Sequence, residues 1–253
     1  MKQLIFQTKL NTLRLFVRNK RFLIISLLIP IFFYLLFTKV MNVGLAGADL
    51  VAWKADYLVS MMTYGILMDS VMMISSTLVS DRENGFDQLI TLSPLPKSRY
   101  YASVIFSFFG LFELSIISLL VVGYYINSVT YSILEVLSFL IALPLTALPL
   151  IMIGILLSLA GSSNTVSGLA NLLVFPLAIV SGLWWPIDSL PNWIQSIGKW
   201  MPTYFMSNVM KTLYHRHKLD LQSSLGLILW FSLLSLCLGI ILHFKRQKGY
   251  QLV

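Results

Sequence analysis

The chain has 253 residues, 57% hydrophobic and only 11% charged, with a mean hydropathy of +0.82. Soluble domains carry about 25% charged residues, so this composition, with its long apolar runs, excludes an ordinary soluble enzyme and places the chain in a bilayer. The formal charge of +8 then reads as an orienting signal across a membrane rather than as a nucleic-acid footprint, and the single Cys237 excludes an internal disulfide or a cysteine-based metal site.

Residues 1–21 come first. Over residues 3–20, Gln7, Asn11, Arg14 and Arg18 recur on one face of a helix, and Phe6, Leu10, Leu13 and Val17 on another. That pattern predicts an amphipathic helix lying in the membrane interface, its Lys and Arg turned towards lipid phosphates. A plain basic anchor is the alternative. The apolar run 22–41 follows. "AGA" at Ala46–Ala48 imitates a signal-peptidase site, but the run is too long for a signal-peptide core and reads as a retained span.

Six spans are predicted in all, over residues 22–41, 57–80, 101–126, 134–159, 166–185 and 221–244. The connections between them leave no room for a soluble domain. With the N-terminus in the cytoplasm, twelve basic residues lie inside: Lys2, Lys9, Arg14, Arg18, Lys20, Arg21, Arg82, Lys97, Arg99, Lys245, Arg246 and Lys248. Six lie outside: Lys39, Lys54, Lys199, Lys211, Arg216 and Lys218. The bias predicts that both termini are cytoplasmic, although the basic cluster Lys211–Lys218 runs against it.

Between spans two and three lies "VSDRENGFDQLITLSPLPKSRYY", Val79–Tyr101. Ser80-Asp81-Arg82-Glu83 matches the capping-box pattern that starts a helix. Phe86, Leu89 and Ile90 follow at i, i+3 and i+4, and Pro94 and Pro96 end the segment. The expectation is a short cytoplasmic helix with one apolar face. It either offers a docking surface to a partner or merely turns the chain.

Residues 184–205 hold Trp184, Trp185, Pro186, Pro191, Trp193, Trp200, Pro202 and Tyr204. Prolines break a straight span, and tryptophans favour the interface. A pair of short re-entrant helices in the outer leaflet satisfies both facts, and an aromatic belt on an outside loop is the alternative. Inside the membrane, Asp69 falls mid-span two and Glu113 mid-span three, with no basic residue mid-span to pair with either. Such carboxylates line a cargo route, form protonated hydrogen bonds between helices, or face each other across a dimer. His215 and His217, two apart, point to different sides of a helix and make no metal pair. Asn164 in "GSSNT" reads as a helix cap in a cytoplasmic turn. No phosphate loop exists, since Gly198-Lys199 lacks the preceding glycine and the following Ser/Thr.

Two of these segments carry a resemblance. Glu83-Asn84-Gly85 followed by Leu89, Leu92, Pro94 and Arg99-Tyr100-Tyr101-Ala102 is similar to the first cytoplasmic loop of ABC-2 type transporter permeases. "SGLWWPIDSLPNWIQSIGKWMPTYFMSNVMK", Ser181–Lys211, resembles that family's segment between spans five and six. Phe86 departs from the pattern, where the family often has Thr or Ser. The resemblance covers essentially the whole chain. It implies a single all-α integral membrane domain over residues 1–253: six transmembrane helices, an N-terminal interfacial helix (1–21), a cytoplasmic coupling helix in the loop 81–100, and re-entrant helices within 184–205.

By the same resemblance, Asp81, Arg82, Glu83, Asn84, Gly85, Phe86, Asp87, Leu89, Ile90, Leu92 and Pro94 couple the chain to an ATPase. Trp184, Trp185, Pro186, Pro191, Trp193 and Pro202 form an exit lid. No cofactor is expected in this chain; ATP and magnesium belong to a separate cytoplasmic ABC ATPase, present in two copies. A second permease chain, identical or a sister, completes the complex in the plasma membrane of a bacterium, in contact with lipid and not with nucleic acid. The implied function is export of amphipathic or membrane-active cargo: a drug, an antimicrobial or toxin peptide, or a lipid-like compound. A permease for polysaccharide or lipid-linked glycan export, and a membrane scaffold or sensor partner, are alternatives. A lipid-processing enzyme lacks the acid, base and nucleophile or metal it would need.

Overall fold

In hydrocarbon every backbone N–H and C=O must be satisfied within the chain, which leaves helix as the open-ended solution. A computed structural model of the protein describes residues 2–18, 20–40, 44–92, 96–215 and 220–247, and among them there is no strand. Helix α1 (Lys2–Arg18) leads into α2 (Lys20–Leu35), whose last turn widens into a π-helix at Leu36–Val40. Helix α3 (Gly47–Met68), a π segment (Asp69–Met73) and α4 (Ile74–Glu83) form one continuous 37-residue rod. The short α5 (Phe86–Leu92) precedes α6 (Lys97–Asn127). Span four is α7 (Ile133–Thr146) plus α8 (Leu148–Ser158), and span five is α9 (Ser163–Val180). A 3-10 turn (Ile187–Ser189), α10 (Asn192–Gly198) and α11 (Pro202–Tyr214) connect to α12 (Leu221–Gln247).

Among the described residues, six helical stretches are long and apolar enough to cross a membrane: Leu23–Val40, Gly47–Glu83, Arg99–Asn127, Ile133–Ser158, Ser163–Val180 and Leu221–Phe244. Span two is the hub, with 94% of its most apolar window buried, whereas span six has 6% buried and borders the bundle. At 1.5 Å per residue the Gly47–Glu83 rod is about 55 Å long, well beyond a hydrocarbon core of about 30 Å. It therefore carries side chains beyond the hydrocarbon layer. The sequence-based start at residue 57 falls ten residues late because Asp49, Lys54 and Asp56 interrupt the apolar pattern without interrupting the helix.

Local chemistry explains the breaks. Pro144 lies inside α7 and Pro149 in the first turn of α8, and the removed N–H donors bend span four at Ala147. Span four starts with a true capping box: Ser132 N donates to Glu135 Oε2 at 2.9 Å, and Glu135 N to Ser132 Oγ at 3.3 Å. The same spacing at Ser80–Glu83 is not a helix start. Those residues form the last turn of α4, and the chain breaks after them at Gly85, whose φ of +71° suits glycine. Alpha-8 crosses the π segment so closely that a Cβ on Gly154 would collide with the carbonyl oxygen of Ser70.

Candidate functional site

The end of α4 gathers the first cluster. Asp81 is buried, and its Oδ1 accepts from Arg14 Nη2 at 2.7 Å while its Oδ2 accepts from the Tyr100 hydroxyl at 2.7 Å. The Arg14 guanidinium also lies 4.1 Å from the centre of the Phe86 ring, and that ring sits 5.9 Å from Tyr100. Along α1, Asn11 Nδ2 donates to Ser103 Oγ at 2.8 Å, and the Ser107 hydroxyl donates to the Thr8 carbonyl at 3.1 Å. The polar face of α1 is thus turned into the protein against α6. Arg14, expected to reach lipid phosphates, serves Asp81 instead, while Phe6, Leu10, Leu13 and Val17 point outwards.

The next two residues close other helices. Arg82 Nη2 donates to the carbonyl of Ser158, the last residue of α8. Glu83 Oε1 accepts from the Ser163 N–H at 2.8 Å and Oε2 from the Ser163 hydroxyl, at the first residue of α9. A cation at a helix C-terminus and an anion at a helix N-terminus both complement the unsatisfied backbone groups there. Those contacts hold Arg82 to span four and the carboxyl of the exposed Glu83 to span five. Asn84 Nδ2 donates back to the Ser80 carbonyl at 2.7 Å. The triplet Asp81-Arg82-Glu83 therefore ties α1 and spans three, four and five to the end of span two.

Alpha-5 does not present one apolar face. Phe86 is half-buried and Ile90 is buried against the bundle, whereas Leu89 is 63% and Leu92 85% exposed. The sequence-based grouping of Phe86, Leu89 and Ile90 on one face is corrected: inward residues anchor the helix, and Leu89 and Leu92 form its outer surface. The side chain of Asp87, and Pro94 altogether, lie outside what the structure describes. Ser158 and Ser163 were missed by sequence reasoning, and Arg14 and Tyr100 were named without these contacts, because the partners are 19 to 80 residues away.

Asp69 opens the π segment and is fully buried. Neither of its carboxylate oxygens has a hydrogen-bond partner among the described residues, and the Ser26 hydroxyl of α2 donates to the Leu23 carbonyl at 3.1 Å. It is sealed within its own chain, away from any surface a second chain could reach. Glu113, on α6, is half-buried, and no ion pair or hydrogen bond joins it to Asp69 among the described residues.

At the other end of the rod, the aromatic-proline residues divide. Trp184 is stacked on Phe33 (ring centres 4.8 Å apart, 22° between planes) and meets Tyr64 and Phe175 edge-on, plugging the space between α2, α3 and α9. Trp185 packs against Phe37, whereas Trp193 is exposed. Pro186 precedes the 3-10 turn, Pro191 precedes α10, and Pro202 is the buried first residue of α11. Alpha-11, at 13 residues, is about 20 Å long and too short to cross a bilayer.

Beside this segment is a half-open cavity of about 230 Å³ between α3, the turn after α9 and α11. Asp56 and Lys211 line it from facing helices and Asp188 from the turn. Burial lowers the pKa of Lys211, against the pull of Asp56 and Asp188. His215 Nε2 lies 2.8 Å from Asp56 Oδ1. Two members of the basic cluster that ran against the orientation rule thus sit beside carboxylates; Arg216–Lys218 lie outside the described residues.

The family described as ABC-2 family transporter protein matches the chain over residues 51–244. The "Putative transport permease YvfS" of Bacillus subtilis (strain 168) is 34% identical over 188 residues, covering 74% of this chain and 76% of that protein. The "Linearmycin resistance permease protein LnrN" of the same organism is 24% identical over 179 residues, covering 69% of this chain and 46% of that longer relative. No solved structure matches the chain. With six apolar spans among the described residues, one of them the central rod, and a family match across most of its length, the chain is a multi-pass membrane protein that belongs to the ABC-2 family of transporter permeases.

Proposed function

We propose that the chain is the transmembrane subunit of an ATP-driven exporter of amphipathic or membrane-active cargo, with both termini in the cytoplasm. The observation that carries this reading is α5: an exposed Leu89–Leu92 surface mounted on a helix whose other side is fixed to the bundle by Phe86 and Ile90. An apolar surface on a rigid mount suits a docking site in the cleft of a soluble ATPase. The adjoining triplet Asp81-Arg82-Glu83 gives a displacement of that helix direct routes into α1 and spans three, four and five. The chain itself has no phosphate loop, so ATP and magnesium belong on two ATPase partners. A second permease chain would complete the pathway. Trp184, packed among helices, fits the outward lid. Similarity to a relative named as a linearmycin resistance permease supports a cargo of the drug or antimicrobial class.

The test is to tag the chain, extract it gently from its native membrane and identify what co-purifies. The expected partner is a stoichiometric ABC ATPase, lost in the double variant Leu89→Asp/Leu92→Asp while the permease stays folded. Recovery of a kinase instead, or of no partner with the wild-type chain intact, overturns the reading.

A further inference from the structure

The half-open cavity beside α11 is a polar site in which two buried hydroxyls are not satisfied by the chain. The Tyr57 and Ser207 hydroxyls are buried and have no hydrogen-bond partner among the described residues, and both residues line the cavity. Buried polar atoms are normally paired, so an unpaired set converging on one space points to an occupant. Lys211 faces the same space, while Asp188 and Asp56, the latter with its Oδ1 2.8 Å from His215 Nε2, line it from other elements. Trp53 and Tyr57 supply an aromatic wall, their rings stacked 5.4 Å apart at 6°.

Charge and size narrow the occupant. A simple anion would be drawn to Lys211 but would face two carboxylates. A simple cation would suit the carboxylates and the aromatic wall but would face Lys211. A molecule carrying both signs satisfies both ends. The volume of about 230 Å³ lies below the roughly 300–1,000 Å³ of sites that enclose a whole drug-sized ligand, so the site takes a head group and leaves the remainder outside.

We propose that this cavity binds a zwitterionic head group, an ammonium beside a phosphate or carboxylate. The anionic oxygens bond to Lys211 and the Tyr57 and Ser207 hydroxyls, and the ammonium lies between Asp56 and Asp188 against Trp53. The source is either a bilayer phospholipid or a free zwitterionic compound. The site stands whether or not the chain exports anything, since it rests on the cavity alone.

The test uses the full chain in nanodiscs of phosphatidylglycerol. One arm titrates soluble O-phosphoethanolamine by calorimetry; the other adds phosphatidylethanolamine to the disc and counts retained lipid by native mass spectrometry. Saturable binding is expected in at least one arm, weakened at least tenfold by Lys211→Gln and by Asp188→Asn, with ethanolamine or inorganic phosphate alone competing poorly. Binding in the soluble arm assigns a free compound, and binding confined to the lipid arm assigns a phospholipid. Asp188 is exposed, so its variant keeps the test decisive even where Lys211→Gln fails to fold. No saturation in either arm, equal competition by ethanolamine alone or by phosphate alone, or wild-type binding by Asp188→Asn would each overturn the proposal.

Discussion

The two ends of the Gly47–Glu83 rod are built on opposite plans. At its C-terminal end, Asp81, Arg82 and Glu83 each engage another element of the chain, so four neighbours are fastened to one turn of helix. Some 25 residues back along the same helix, at Asp56 and Tyr57, charges and hydroxyls surround a cavity and Tyr57 and Ser207 are left without partners. The first end is suited to carry motion, because its charges are already spent on holding neighbours in place. The second is suited to receive something, because two of its buried hydroxyls are still open. One continuous helix joins them, so a shift at either end is felt along the rod.

The comparison is broken most severely in the middle. Gly154→Ala forces α8 away from the π segment beside Asp69, and overpacking against backbone is expected to cost about 3 kcal/mol or more. Loss of folded protein by fluorescence-detected size exclusion checks it, and wild-type yield would show that the two helices can part freely. Next, Arg14→Ala leaves Asp81 buried without its guanidinium partner, at a cost of about 2–3 kcal/mol, towards the low end for breaking a buried pair because Arg14 is partly exposed. Thermal unfolding measures this, and Arg14→Lys should recover only part of it, since a point charge replaces a planar group stacked on Phe86.

Leu89→Asp with Leu92→Asp should leave unfolding within about 0.5 kcal/mol of wild type, as exposed substitutions do, while abolishing permease-stimulated ATP hydrolysis. That result separates the outer face of α5 from its anchored side. The smallest effect sharpens the contrast at the open end, where Asp220 is a satisfied carboxylate. Its pKa is held below the ordinary range, chiefly by the Ser223 hydroxyl. It also accepts from Asn208 and from the Gln222 N–H at the start of α12. Asp220→Asn is expected to cost about 1 kcal/mol or less at neutral pH. Because the folded-state pKa is depressed, the stabilisation is present above the unfolded value and fades as pH falls through the folded one. The gap between wild type and variant in thermal unfolding should therefore narrow on acidification.

The spans were legible because apolar runs are local: each records its own burial in lipid within some 20 residues. The junctions were not. Ser80–Glu83 and Ser132–Glu135 have the same spacing, yet only the second caps a helix. Leu78 and Val79 continue an apolar span into the first, whereas extended backbone at Ser132 precedes the second. Alpha-5 was found, but its rotation was not, because what turns Phe86 inwards is Arg14, 72 residues earlier. The aromatic-proline stretch announced broken helices correctly, but which tryptophan plugs the bundle depends on Phe33, Tyr64 and Phe175, on three other elements. The side chains of Asp81, Arg82 and Glu83 bond within the chain, and Leu89 and Leu92 are exposed on α5.

The inward-turned polar face of α1 has a consequence for biosynthesis. Asn11 and Arg14 leave the ribosome long before Asp81, Tyr100 and Ser103, which satisfy them. At about 5–20 residues per second, Ser103 follows Asn11 by roughly 5–20 s. During that interval the nascent N-terminal helix must shelter its polar side in water or against the insertion machinery, with its apolar stripe already able to enter lipid. Its final seat forms only once span three arrives, so α1 is made first and docked late.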